Sequence, residues 1–288
     1  MAARVDCHDA DVSEFERETR PASDGDGAWT TELSTAWNIG DSANGGYALT
    51  PVLRAAGELC GHPDPVSVTT HFLRPVQGGG AGRIEARLVR SGRTVSVATG
   101  TLYQAGADRL VVNAVFGDVA SGPAEDGAGD DGGAGDRAPA IERTPPSIPS
   151  PDRCVDRTEL LQGVDLPIAS RVDVRIAPAR AVAGASPDAV MEGWIRLADG
   201  TSPSTTSLPL FADAFPPSLF AKFGRVGWVP TIELTVHARR RPADGWCQAR
   251  FECDDLIGGR MIETGTLWDS TGRVVARSRQ LGLLLVNE

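Results

Sequence analysis

Two stretches decide the fold: Val66-Ser-Val-Thr-Thr-His-Phe-Leu-Arg-Pro75 and Ile232-Glu-Leu-Thr-Val-His-Ala-Arg-Arg-Arg-Pro242. Each reads as a strand that runs into an Arg-Pro pair, and more matches follow in the same order. The Arg-Pro pairs lie 167 residues apart, and so do Gly92-Arg93 and Gly259-Arg260. Thr99-Gly-Thr-Leu-Tyr103 and Thr264-Gly-Thr-Leu-Trp268 are 165 apart, as are Phe116-Gly117 and Leu281-Gly282. Four matches in one order, at nearly one offset, indicate a duplicated domain.

Each copy opens on a helix candidate. In the first, Asn44 to Leu59 carries apolar residues at 49, 52, 53, 56 and 59, which is helical spacing, with Asn44 as N-cap and Gly61 as stop. In the second, Ser204 to Phe223 fills the same slot, and Pro209, Pro216 and Pro217 make that helix irregular. Period-two stretches follow both: Val66 to Leu73, Arg83 to Val89, Thr94 to Tyr103 and Leu110 to Phe116, then Thr231 to Arg239, Cys247 to Cys253, Arg260 to Asp269 and Val274 to Leu285. A helix wrapped by a curved antiparallel sheet, twice over, is an α+β architecture.

Charge locates the rest of the chain. The net charge is −10, but residues 1–28 hold 8 acids against 3 bases, and residues 118–152 hold 8 against 2. The remainder is close to neutral, which makes nucleic acid a poor partner. Of the 35 residues in 118–152, 24 are Gly, Ala, Pro or Asp, too little apolar surface to offset ordering entropy. The expected parts are a flexible acidic N-terminal segment (1–28), a first domain (29–117), a disordered linker (118–152) in which Pro145 to Pro151 is extended, and a second domain (153–288).

No apolar run reaches the ~18 residues of a membrane span. Met1 to Arg20 is acidic with no apolar centre, so a secretory signal is not expected and the cytoplasm is the default address. The five cysteines form no CxxC pair and the four histidines are scattered, so neither a metal nor another cofactor is indicated.

Asn44-Gly-Gly-Tyr47, His71-Phe-Leu-Arg-Pro75, Phe211-Ala-Asp213, Pro230-Thr-Ile-Glu-Leu-Thr-Val-His237 and Arg279-Gln-Leu-Gly282, in that order on a duplicated frame, resemble the acyl-CoA thioesterase II (TesB-like) family of double-hotdog thioesterases. The resemblance covers about 29–117 and 190–286. It implies a tandem (double) hotdog, two helix-wrapped antiparallel sheets forming an intrachain pseudo-dimer. It implies acyl-CoA, or an acyl carrier protein thioester, as substrate and an assembly of several chains. It also implies a catalytic set of Asp213, Thr231 and Gln280, in which the carboxylate acts as general base or orients a water while the other two fix the water's lone pairs. The backbone N–H groups of Gly45, Gly46 and Tyr47 are candidate oxyanion or substrate donors at a helix N-terminus. At an offset of 165 the first copy has Val66 and Val115 where the second has Thr231 and Gln280, so one site per chain is expected.

On the residues alone, plainer roles stay open. Asp213 fits a helix-surface acid, Thr231 an ordinary strand residue and Gln280 an outward-facing polar one. Asn44, Gly45 and Gly46 fit a plain cap and turn with close helix–sheet packing, and Arg239-Arg240-Arg241 fits either a phosphate clamp or a solvated strand end. The rival functions are a non-catalytic acyl-CoA-binding hotdog protein and a hotdog hydratase or dehydratase. The latter needs an Asp-plus-His pair that does not stand out here.

Overall fold

The computed structural model describes residues 12–120, 139, 141–160, 163–225 and 227–285. In chain order the helices and strands are α1 (Glu14–Glu18), β1 (Ala22–Gly25), β2 (Ala28–Leu33), β3 (Asn38–Ile39), β4 (Ser42–Ala43), α2 (Gly45–Glu58), β5 (Asp64–Phe72), β6 (Gly80–Arg90), β7 (Ser96–Gln104) and β8 (Ala107–Gly117). After the connection come β9 (Val155–Asp156), β10 (Val172–Ile176), α3 (Pro178–Ala181), β11 (Val190–Leu197), α4 (Leu208–Asp213), α5 (Leu219–Phe223), β12 (Thr231–Ala238), β13 (Cys247–Ile257), β14 (Arg260–Trp268) and β15 (Val274–Leu283).

The expectation of two sheets needs correcting. Among the described residues the strands form one antiparallel sheet of 13, in the order β1-β2-β6-β7-β8-β5-β12-β15-β14-β13-β11-β10-β9, and a separate β3–β4 pair. The order is a mirror about the β5–β12 joint, as a duplicated unit requires. β5 and β12 are the inner edge of each half, and an open edge leaves a row of unpaired backbone groups. Here each edge satisfies the other: Val68, Thr69, Thr70 and His71 face Val236, Thr235, Leu234 and Glu233, and the hydroxyls of Thr69 and Thr235 meet at 2.9 Å. The eight predicted strands all form, with ends shifted by a few residues. β2 and β11, which extend each half outward, were not predicted.

α2 forms where its apolar spacing placed it and buries Leu49, Val52, Leu53 and Ala56 against the sheet. Asn44 caps it, its Oδ1 accepting from Tyr47 N at 3.0 Å. The helix stops at Glu58, before Gly61. The second helix slot splits into α4 and α5 around Pro216-Pro217, because neither proline has an N–H to continue the ladder.

Two segments expected to be flexible are ordered in their described parts. Residues 1–11 lie outside the described residues, but α1 anchors the stretch after them. Phe15 is buried edge-on to Trp37 at 5.6 Å, Glu18 accepts from Trp37 Nε1 at 2.6 Å, and Arg171 pairs with Glu14 and Glu18 at 3.3 and 3.2 Å. In the linker, residues 121–138 and 140 lie outside the described residues, whereas 141–150 straps the outer face of the second half. The carbonyls of Arg143, Pro146 and Pro149 accept from Trp268 Nε1, Gln248 Nε2 and Trp194 Nε1 at 2.8, 2.6 and 2.8 Å. Those donors are cross-strand neighbours on β14, β13 and β11. A repeat of three residues is that of a polyproline II strand, which has no internal hydrogen bonds and leaves its carbonyls free to accept. Glu142 anchors the near end, taking Arg240 Nη1 at 2.6 Å and Val274 N at 2.9 Å.

Candidate active site

α4 lies against α2, and the approach is close because Gly46 has no side chain. A Cβ there would sit 2.4 Å from the Pro209 carbonyl oxygen and 2.6 Å from Leu210 Cα. The close approach is helix to helix, rather than the helix-to-sheet packing expected of this glycine, and it brings the last residue of α4, Asp213, to the N-terminus of α2. A Cβ on Gly45 would likewise meet Asp213 Oδ2 at 3.0 Å and the Phe72 ring at 2.9 Å.

The carboxylate of Asp213 is held from the other half of the chain. Asn44 Nδ2 donates to Asp213 Oδ2 at 2.9 Å and to the Asp213 backbone carbonyl at 2.9 Å. Gly46 N donates to Oδ2 at 3.0 Å, and the Gly45 N–H also favours the charged form. Asn44 thus uses both ends of its amide, Oδ1 to cap α2 and Nδ2 to hold Asp213. Burial is the dominant influence on the acid and pushes its pKa up to about 6, against the opposing pull of these donors and of Arg157. Arg157 is itself buried, with Nη1 donating to the Ala214 carbonyl, and burial lowers its pKa to about 10.

The backbone N–H groups expected as oxyanion or substrate donors have partners within the protein. Gly46 N and Gly45 N serve Asp213, and Tyr47 N serves the Asn44 cap. The Tyr47 side chain is fully buried, stacked on Trp37 at 4.9 Å, with its hydroxyl accepting from Ser34 N at 2.9 Å and donating to the Glu18 carbonyl at 3.2 Å. Burial pushes its pKa up to about 12, as suits a structural phenol.

Gln280 and Thr231 meet each other: Gln280 Nε2 donates to Thr231 Oγ1. Gln280 stands opposite Leu234 and Glu263 in the sheet, and Thr231 opposite Gly282. Leu234 is a core residue, so this register turns Gln280 to the helix-covered face rather than outward. No hydrogen bond among the described residues joins either to Asp213, whose Oδ2 is held by Asn44 and Gly46 instead. The amide keeps a second hydrogen and the hydroxyl its own, both available to a water or an oxyanion.

Two of the three arginines in the 239–241 run are engaged in ion pairs. Arg240 holds Glu142, and Arg241 bonds Asp64 at 2.8 Å across the joint between halves. Two hollows, of about 230 Å³ beside Arg157 and about 500 Å³ between Arg17 and Ser34, are not lined by Asp213, Thr231 or Gln280.

Asn44→Ala is expected to remove both the cap and a carboxylate donor. The melting free energy should fall by ~1 kcal/mol or more, and the Asp213 titration should move above 6. Thermal melts and a pH titration check the two parts.

The Asn44 contribution was only half visible in the sequence, as a cap. Arg157 carried no signal, because nothing near it in sequence marks it as buried.

Comparison with known proteins agrees with the geometry. Residues 33–117 match the model of the acyl-CoA thioesterase N-terminal domain, and 146–284 that of the acyl-CoA thioesterase C-terminal domain. An uncharacterized Mycobacterium tuberculosis protein is 30% identical over 270 residues, covering 88% of this chain and 89% of its own. A crystal structure described as a candidate thioesterase II, from Thermobifida fusca, superposes with a TM-score of 0.81 at 30% identity, covering 96% of this chain and 99% of that one. An acyl-CoA thioesterase II from Mycobacterium marinum shares the fold, with a TM-score of 0.72 at 17% identity and coverage of 95% and 99%.

Proposed function

Because the chain belongs to the acyl-CoA thioesterase family, we propose that the site around Asp213 hydrolyses an acyl-CoA thioester to the free acid and coenzyme A. The frame is a tandem hotdog whose halves pair through β5 and β12, with one site per chain. The observation that carries the proposal is the carboxylate at the N-terminus of α2, gripped by Asn44 and Gly46 and poised to ionise at about 6. A base is most effective when its pKa lies near the working pH.

A thioester carbonyl is already electrophilic, so the site needs to place a water and polarise a carbonyl. Asp213 takes a proton from the water as its oxygen attacks the acyl carbon. Gln280 and Thr231 offer their spare hydrogens to the water or to the oxyanion that forms. The tetrahedral intermediate collapses with cleavage of the C–S bond, and the thiolate leaves with the proton returned through solvent or Asp213. No acyl-enzyme forms.

A dehydratase would pair its aspartate with a histidine, and no histidine is among the described hydrogen-bond or charge partners of Asp213. A binding-only protein would have no need of a base tuned in this way. The further expectations of an assembled, cytoplasmic enzyme stand as part of this proposal.

The test is the pH dependence of kcat/KM for thiol release from an acyl-CoA. It should rise about tenfold per unit below the midpoint, near 6, and level off above it. A profile flat from pH 5 to 8 would remove Asp213 as the base.

A further inference from the structure

A second carboxyl lies buried beside the first. Glu263 on β14 is 6% exposed, and its Oε2 accepts from Ser218 N at 2.9 Å. Ser218 lies in the turn that follows Asp213, and across the strand pair Glu263 stands opposite Gln280. Just after α4, Arg157 holds the Ala214 carbonyl. The turn that follows Asp213 is therefore held by two buried ionisable groups, and Glu263 links it to the strand pair of Gln280.

The charges do not balance if all three are ionised. One buried cation offsets one carboxylate, and a second uncompensated anion in such a place is strongly disfavoured. Asp213 has the Asn44, Gly45 and Gly46 donors, the α2 N-terminus and Arg157. Glu263 has the Ser218 hydrogen bond, takes part in no ion pair among the described residues, and faces Asp213, Asp254 and the thiol of Cys253. Asp254 is itself paired with Arg279 at 2.9 Å. Burial, then the charges of Asp213 and Asp254, hold Glu263 above the usual carboxylate range. Two carboxyls whose surroundings push them apart take different protonation states.

We propose that Glu263 is a positioning residue of this site, present as the neutral acid beside an ionised Asp213, where it clasps the turn after α4 to the strand pair that carries Gln280. The proposal rests on Asp213 being the working base, but its protonation can be tested without that premise. At pH 8 the infrared difference spectrum of wild type against Glu263→Gln should show one protonated-carboxyl band, lost in the variant. A wild type without that band, or a band that survives the substitution, overturns the proposal.

Kinetics add two readouts. Glu263→Gln replaces one neutral group by another, so the midpoint of kcat/KM should stay within about half a unit of wild type. Were Glu263 ionised, its removal would lower that midpoint by a unit or more, and this result also overturns the proposal. Glu263→Ala frees the turn and should lower kcat about tenfold with KM within about twofold; an unchanged kcat contradicts the clasp. If wild type hydrolyses no thioester, the assigned reaction fails, while the infrared result still decides the state of Glu263.

Discussion

Asp213→Asn is expected to lower kcat by ~10²–10⁴-fold, the usual contribution of a general base, and to do so in a protein that melts no lower than wild type. The two halves of this expectation have one cause. The folded state holds the Asp213 proton more tightly than an ordinary aspartate does, with a pKa of about 6 against 3.8. The group therefore favours the folded state least when ionised: stability falls as pH rises from about 4 and the loss is complete above about 6. The difference amounts to about 3 kcal/mol at neutral pH. Asparagine removes the partly desolvated charge and keeps an oxygen for Asn44 Nδ2 and Gly46 N. The melting temperature at pH 8 should be unchanged or raised, and its decline between pH 4 and 6 should flatten. A melt at pH 8 that is lower by many degrees would mean Asp213 is structural. Retained activity would mean it is not the base.

Gly46→Ala is expected to be strongly destabilising for a single added methyl. The added carbon would lie 2.4 Å from the Pro209 carbonyl oxygen and 2.8 Å from Leu210 N, both backbone atoms of α4. No rotamer relieves a backbone clash, so α2 and α4 must separate. Overpacking of this kind costs ~3 kcal/mol or more, and parting the helices also takes Asp213 away from Asn44. Gly61→Ala is the control, since nothing lies within 4 Å of a Cβ there; it should stay within about 0.5 kcal/mol. Urea unfolding of the two variants beside wild type makes the comparison. Equal midpoints for Gly46→Ala and wild type would show that the close approach of α2 and α4 is not required.

The parts legible in the sequence were those with a period. Alternation gave the eight strands from β5 to β8 and β12 to β15, and the offset of 165 to 167 gave their duplication. β11 was missed because Val190-Met-Glu-Gly-Trp-Ile-Arg-Leu197 alternates poorly; its Glu192 is buried against Arg180 and Arg250. The single sheet was hidden because pairing of β5 with β12 is a contact between halves, which no local pattern reports. Acidity made residues 12–28 look solvated, yet one phenylalanine and the remote Arg171 are enough to dock them.

Asp213, Thr231 and Gln280 were named from a resemblance, and their partners could not be. The grip on Asp213 comes from Asn44, 169 residues away, and Glu263 looks like an ordinary strand residue until β14 is laid beside β15.

The most direct test of the account is a single turnover of an acyl-CoA in ¹⁸O-labelled water, with released thiol counted by Ellman's reagent and the acid analysed by mass. Attack by a water held at Asp213 predicts one thiol per acyl group and one ¹⁸O atom in the acid from the first turnover. No thiol from any member of an acyl-CoA panel, or first-turnover acid without the label, would contradict it.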